Sequence, residues 1–215
     1  MKFFKTPRVI KLAYPGAVWD LHQSNKNLYL TFDDGPQPEL TEYILSILDR
    51  YNAKATFFCV GDNIRKFPGL VKKIIEHGHL IGNHTFNHLD GWKSSTVDYS
   101  QNIELFEEEY EGLFNCRLQP QLFRPPYGKI TRKQMKAVHK KGYKIIMWDI
   151  LTYDFDIKLD KTRALNQIIK RTRNGSIILF HDNIKATKNL QYLLPNYLDY
   201  FAAKEYRFPI IPLNL

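Results

Sequence analysis

Residues 28–36 read LYLTFDDGP: a short run of apolar, aromatic and β-branched residues, then two adjacent carboxylates and a Gly-Pro turn. LYLTF (28–32) has the composition of a strand, and Asp33-Asp34-Gly35-Pro36 ends it abruptly. Outward from this stretch the same pattern recurs at ATFFCV (55–60), HLIGN (79–83), QLFR (121–124), YKIIMWD (143–149), SIILF (176–180) and FPII (208–211). Helical patterns lie between them. In 97–113, Tyr99, Ile103, Phe106, Tyr110 and Leu113 recur at steps of three and four, with acids between. In 160–173, Asp160 is an N-cap, Leu165, Ile168 and Ile169 form the apolar stripe, and Arg171 and Arg173 suit the C-terminal end before Gly175. Seven strands alternating with helices predict a parallel α/β sheet. No linker or shift in composition divides the chain, so residues 1–215 read as one domain.

In parallel α/β folds, sites form beyond the C-terminal ends of the strands. Five clusters of chemically able residues fall there. The first is Asp33-Asp34, which the following Gly-Pro turn splays in different directions; an Asp before Gly is also a common turn residue. The second is His84-Thr-Phe-Asn-His88, in which two imidazoles four apart share one face of a helical turn, about 6 Å from each other. With a carboxylate from elsewhere they would offer a metal two nitrogens and one oxygen and leave positions open, a catalytic rather than a structural arrangement. His77 and His79, two apart in an extended stretch, would point to opposite faces and read as structural. The third cluster is Arg124-Pro-Pro-Tyr127-Gly128, a stiffened loop after a strand. The fourth runs from Trp148-Asp149 to Asp154-Phe155, and the fifth is Leu179-Phe180-His181-Asp182.

Composition excludes several other classes. With 44% hydrophobic and 25% charged residues, the chain has a globular balance. No apolar run reaches the ~18 residues of a membrane span, so an integral membrane protein is not expected. Basic residues at positions 2, 5, 8 and 11 break up any signal-peptide core, which implies a cytoplasmic location. Cys59 and Cys116 form neither a disulfide framework nor a thiolate metal site, and Cys59 in ATFFCV reads as a buried small hydrophobe. Residues 98–111 hold six acids and no Lys or Arg, so the rest of the chain is more basic than its net charge of +9 suggests. With no Gly-rich phosphate loop, zinc finger or RNA-recognition signature beside it, that charge reads as solubilising, and no nucleic-acid partner is expected.

Taken together, T-F-D-D-G-P, H-T-x-x-H, R-P-P-Y-G, the W-x5-D-F stretch and L-F-H-D resemble the five ordered motifs of polysaccharide deacetylases, the NodB-homology domain of carbohydrate esterase family four. The resemblance spans roughly residues 27–211 and implies a distorted (β/α)7 barrel. It also implies one divalent metal, usually Zn2+ with Co2+, Ni2+ or Mn2+ as alternatives, held by Asp34, His84 and His88. Asp33 would be the general base, positioned by Arg124, and the Tyr127 backbone N–H would help hold the oxyanion. His181 would be the general acid, tuned by Asp154. Leu179 would line an acetyl-methyl pocket, with Trp148 and Phe155 also at the substrate. The implied activity is hydrolysis of N-acetyl groups on an amino sugar or its polymer; O-acetyl ester or other non-peptide amide hydrolysis, and an inactive carbohydrate-binding protein, are the alternatives. The chain departs from the family in carrying Phe155 where Trp is usual, which predicts a roomier acyl pocket lacking an indole N–H. Most relatives are exported, which makes the cell envelope the alternative location.

Overall fold

LYLTF forms the second strand of a single sheet. The computed structural model describes residues 2–21 and 25–212. Its strands are β1 (Ala17–Val18), β2 (Tyr29–Asp33), β3 (Ala55–Cys59), β4 (Leu80–Asn83), β5 (Leu122–Phe123), β6 (Lys144–Ile146), β7 (Ile150–Leu151) and β8 (Ile177–His181). All neighbouring pairs are parallel, in the order β1-β6-β5-β4-β3-β2-β8-β7. An isolated bridge between Asp20 and Ser176 ties the segment after β1 to the start of β8, so the two sides of the sheet meet across the curl. The helices are α1 (Arg8–Ala13), α2 (Leu40–Arg50), α3 (Gly61–Lys66), α4 (Pro68–Glu76), α5 (Thr96–Phe114), α6 (Arg132–Lys140), α7 (Lys161–Arg171) and α8 (Thr187–Ala202).

The alternation of side chains along the strands divides the molecule into two interiors. Leu30, Phe32, Phe57, Cys59, Ile81, Phe123, Ile145, Ile178 and Phe180 belong to the large core that the sheet shares with the helices. The opposite parity builds a small second cluster of Tyr29, Phe58, Leu122, Ile146, Ile177 and Ile211. On β2 and β8 that second parity continues through Thr31 and Leu179 to Asp33 and His181, which are register partners at the strand ends. The concave side is therefore apolar where the strands begin and polar where they finish.

Several sequence expectations are met locally. The Asp160 side chain accepts from the Arg163 N–H and caps α7. The stripe on α5 is buried at Tyr99, Ile103, Phe106 and Tyr110, whereas Leu113, near the frayed end, is exposed. FPII (208–211) is not a strand: Pro209 has no N–H to give a ladder, and the Phe208 carbonyl accepts from Lys54 N–H while Phe208 and Ile211 are buried. Two-residue β1 and β7 lay below the length at which a strand pattern is recognisable, and YKIIMWD keeps only 144–146 as strand.

Phe32 stacks on Phe57 (5.0 Å between ring centroids) and on Phe180 (5.7 Å), joining the neighbouring strands β3, β2 and β8 on the helix side. Truncation of a fully buried aromatic costs about 3–5 kcal/mol. Phe32→Ala should lower the unfolding free energy by that amount in urea titration; a loss below about 1 kcal/mol would show that the stack is dispensable.

Candidate active site

Parity brings Asp33 and His181 to the concave side, but Arg124 fixes where Asp33 points. Its guanidinium is fully buried, with NH1 donating to Asp33 Oδ1 (2.7 Å) and Thr31 Oγ1 (2.8 Å). Nε donates to the Ile146 carbonyl (3.0 Å), NH2 to the Met147 carbonyl (2.8 Å), and the group lies over the Phe58 ring (4.2 Å to the centroid). The other carboxylate oxygen of Asp33, Oδ2, is left 3.7 Å from His84 Nε2.

Asp34 turns away from its neighbour because its backbone is left-handed (φ 79°), a conformation that Asp tolerates better than most residues. Its Oδ1 lies 3.0 Å from His88 Nε2 and 3.5 Å from His84 Nε2, and Oδ2 accepts from Asn183 Nδ2 (2.6 Å). One ligand atom from each of Asp34, His84 and His88 falls within 4.8 Å of the others, which makes this triad a candidate metal centre. The imidazoles are oriented for that task. His84 Nδ1 donates to the Arg124 carbonyl (2.7 Å), so its Nε2 carries the lone pair; His88 Nδ1 meets the Tyr127 hydroxyl at 3.1 Å. Burial alone would raise the Asp34 carboxyl, but His84 and His88, which donate to it when their imidazoles are protonated, and the charge of His181 hold it well below the usual carboxylate range. Two nitrogens and a carboxylate oxygen converging with their lone pairs fit a divalent transition metal.

The His84–His88 pair is not on a helical turn, as the spacing suggested. Thr85 (φ 62°) and His88 (φ 55°) are left-handed, and residues 84–88 form a loop. Asn102 on α5 holds that loop through bonds from the Phe86 and Asn87 N–H groups (both 2.9 Å), and Asn83 Oδ1 accepts from Thr85 N–H (2.8 Å). The rings still stand close, 5.1 Å between centroids. His77 and His79 also differ from expectation. Gly78 (φ 76°) turns the chain between them, so their rings stack at 6.4 Å instead of pointing apart. His79 is buried, with Nδ1 accepting from Ala55 N–H (3.2 Å), and the pair is structural as expected.

Opposite the triad, Asp154 grips His181 twice. Its Oδ2 accepts the His181 backbone N–H (2.7 Å) and its Oδ1 accepts from the ring Nδ1 (2.7 Å). Burial would lower the imidazole's pKa, yet the buried Asp154 carboxylate, with Asp34 and Asp33 beyond it, raises it to about 9. Phe155 packs edge-on against this ring at 4.8 Å and stays partly exposed. Tyr127, left-handed at φ 59°, presents its ring to His88. Gly128 beside it is required, since a Cβ there would meet Trp148 at 2.6 Å. Asp33, Asp34, His84, His88, Tyr127, Trp148, Phe155, Leu179 and His181 all line one cavity of about 680 Å3, with Arg124 and Asp154 buried behind it. Cys59 is buried outside it, its thiol pushed well up by burial.

Some participants had no legible signal. Asn63 Nδ2 donates to the Asp34 carbonyl (2.7 Å), and nothing in its surroundings marks it. Asn183 and Asp182 adjoin His181 and could have been read from that motif. Asp182 is buried, accepts from Thr41 Oγ1 (2.6 Å), and is pushed up to about 7 by burial. It fills the space a side chain at position 35 would need, at 2.2 Å, which explains Gly35. Asp149, by contrast, belongs to no part of the cavity: it is buried against Lys5, Lys11 and Ser176.

The profile of the polysaccharide deacetylase family matches residues 20–146. The chain belongs to that family. It is 39% identical over 152 residues to a peptidoglycan-N-acetylglucosamine deacetylase of Bacillus cereus, covering 71% of this chain and 54% of that protein. A second peptidoglycan-N-acetylglucosamine deacetylase of the same organism is 32% identical over 191 residues, 88% of either chain. A crystallised peptidoglycan N-acetylglucosamine deacetylase, in complex with 4-naphthalen-1-yl-N-oxidanyl-benzamide, superposes with a TM-score of 0.86 at 31% identity over 96% of this chain and 95% of that one. The fold is of the α/β NodB-homology type that the resemblance implied as a distorted (β/α)7 barrel, with eight parallel strands in a curled half-barrel in place of the seven read from the sequence.

Calorimetric titration with Zn2+ should give one site per chain, and His84→Ala or His88→Ala should weaken it at least about tenfold, the range already seen for loss of supporting residues. His77→Ala should leave it unchanged. A native chain that takes up no ion, or equal binding in all three variants, would contradict the assignment.

Proposed function

We propose that this protein hydrolyses the N-acetyl groups of amino sugars in a polysaccharide, with the N-acetylglucosamine units of peptidoglycan as the substrate class, releasing acetate and leaving a free amine. The reading is carried by Asp33 and His181 standing as register partners at adjoining strand ends, beside the Asp34–His84–His88 triad in one cavity. Zn2+ suits the two-nitrogen, one-oxygen set best, and Co2+, Ni2+ or Mn2+ could replace it. The N-hydroxyamide crystallised with the relative belongs to a class that chelates such ions. When bound, the ion lowers the pKa of a water to about 7 and polarises the acetyl carbonyl.

The remaining steps belong to side chains. Asp33, held by Arg124 with Oδ2 free of that bond, takes a proton from the attacking water. The Tyr127 N–H donates to the developing oxyanion, a contribution of about 3 kcal/mol for such donors. His181 then protonates the sugar nitrogen from Nε2, its Nδ1 being committed to Asp154, and the C–N bond breaks. Leu179 and Phe155 bound the space for the acetyl methyl, with Trp148 across it. Exposed Tyr127 and Trp92, with Lys129 Nζ 5.2 Å and 5.6 Å from their ring centroids, extend an aromatic surface beyond the cavity on which further sugar rings can stack. That surface supports a polymer over a monosaccharide. The same reading takes residues 1–215 as one deacetylase domain acting at the cell envelope, where peptidoglycan lies, rather than in the cytoplasm. Among the described residues no helix is long and apolar enough to cross a membrane.

A pKa of about 9 keeps His181 protonated at neutral pH, so the acid form is lost as pH rises through that value. Amide hydrolysis should therefore fall on an alkaline limb near pH 9. His181→Ala should lower turnover of N-acetyl substrates by about 10²–10⁴-fold, the usual range for acid–base catalysis, and abolish that limb. Acetyl esters, whose leaving group depends less on a proton, should be affected less, and bound metal should be unchanged. Near-native amidase activity in His181→Ala would overturn the role.

A further inference from the structure

Three of the four basic residues of the N-terminal stretch, Lys2, Lys5 and Lys11, pair with carboxylates of the barrel. Lys2 Nζ pairs with Asp156 (2.5 Å), Lys5 Nζ with Asp149 Oδ2 (2.9 Å), and Lys11 with both Asp149 Oδ1 (2.5 Å) and Asp20. Between these pairs the chain makes an isolated antiparallel bridge to β7. Lys5 bridges Ile150, Thr6 N–H donates to the Asp149 carbonyl (2.8 Å), and Leu151 N–H donates to the Phe4 carbonyl (3.0 Å). Thr6 Oγ1 donates to the Trp148 carbonyl (2.8 Å). Phe4 is buried edge-on against Tyr153 at 5.3 Å, and the Tyr153 hydroxyl accepts from Phe3 N–H (3.1 Å).

Every one of these partners except Asp20 lies in residues 148–156. That segment also supplies Trp148, Leu151, Asp154 and Phe155 to the site. From its far side it is held by Asn189 of α8, whose Nδ2 donates to the carbonyls of Asp154 and Asp156 (both 2.8 Å). Tyr153 is left-handed (φ 57°), an unfavourable conformation for an aromatic residue, and it lies immediately before the carboxylate that sets His181. The strap anchors this residue through both ring and hydroxyl.

We propose that residues 2–6 are a positioning strap: Phe4 and Thr6 hold segment 148–156 so that Asp154 meets His181 and Phe155 closes the acyl end of the cavity. The strap lies outside residues 20–146, where the family profile matches. Its effect is on acyl discrimination and on the proton of His181. The groups facing His181 are Asp154 from this segment, Asp33 and Asp34 from the end of β2, and the Phe155 ring; only Asp154 and Phe155 move with the strap. The proposal rests on the deacetylase reading for its kinetic consequence but not for its structural one.

Two readouts separate them. Native protein, Phe4→Ala, Thr6→Val and the rescue variant Phe4→Tyr are compared, each loaded with Zn2+. NMR titration of the His181 ring, which needs no turnover, should show its pKa lowered in Phe4→Ala as the Asp154 carboxylate that raises it shifts away, lowered by a smaller amount in Thr6→Val, and restored in Phe4→Tyr. The ratio of kcat/KM for acetyl over propionyl esters should fall about threefold to tenfold in Phe4→Ala, a loss of part of the about 10–200-fold that one methylene is worth in a well-formed pocket. Native His181 titration and native acyl ratio in both Phe4→Ala and Thr6→Val would overturn the strap. A shifted titration in protein that hydrolyses neither amide nor ester would uphold the strap and overturn the deacetylase reading. Should Phe4→Ala not fold, Thr6→Val, which removes one hydroxyl and keeps its shape, carries the same two readouts.

Discussion

A guanidinium with no solvent exposure is tolerable only when its charge is met and its donors are used. Arg124 satisfies both conditions with Asp33, Thr31 and the carbonyls of Ile146 and Met147 at the end of β6, and lies over the Phe58 ring. Removing one partner of such a buried pair typically costs about 3–5 kcal/mol, because the other charge is left without compensation. The pair therefore does two things at once. It ties strands β2, β5 and β6 together inside the barrel, and it pins one oxygen of Asp33 so that the other faces His84. His84 is bound into the same arrangement, since the carbonyl of Arg124 sets its tautomer.

Around that constraint the fold distributes its burden by parity. One set of strand residues makes the large core with the helices, and the other makes a small apolar cluster that gives way to chemistry at the strand ends. The polar end is built from loops that several distant elements must hold: Asn102 the histidine loop, Asp182 the turn after Asp34, and the N-terminal segment together with Asn189 the loop that carries Asp154. A half-barrel of short strands leaves these loops long, and each has a buried polar residue as its anchor.

The sequence made much of this legible because strand ends and strand parity are local. Positions 31 and 33, 179 and 181, and 122 and 124 alternate as strand residues must, and five clusters at strand ends pointed to one pocket. What escaped was set by tertiary contacts. The loop at 84–88 has helical spacing but takes left-handed angles because Asn83 and Asn102 bond its backbone. FPII has strand composition but a proline that cannot donate to a ladder, and Asp149, two residues before β7 completes, is turned away from the cavity by two lysines more than a hundred residues distant. The short β1 and β7 carry too few residues for alternation to show.

Hydrolysis of an N-acetyl group, as proposed, requires Asp33, His181 and the Asp34–His84–His88 triad to act together. The most direct test is to incubate the Zn2+-loaded native protein and Asp33→Asn with N-acetylated glycan and to quantify acetate and free amine in the same sample. The account predicts equimolar appearance of both products with the native protein and almost none with Asp33→Asn. Metal-loaded native protein that yields neither product, or Asp33→Asn that yields both at the native rate, would contradict it.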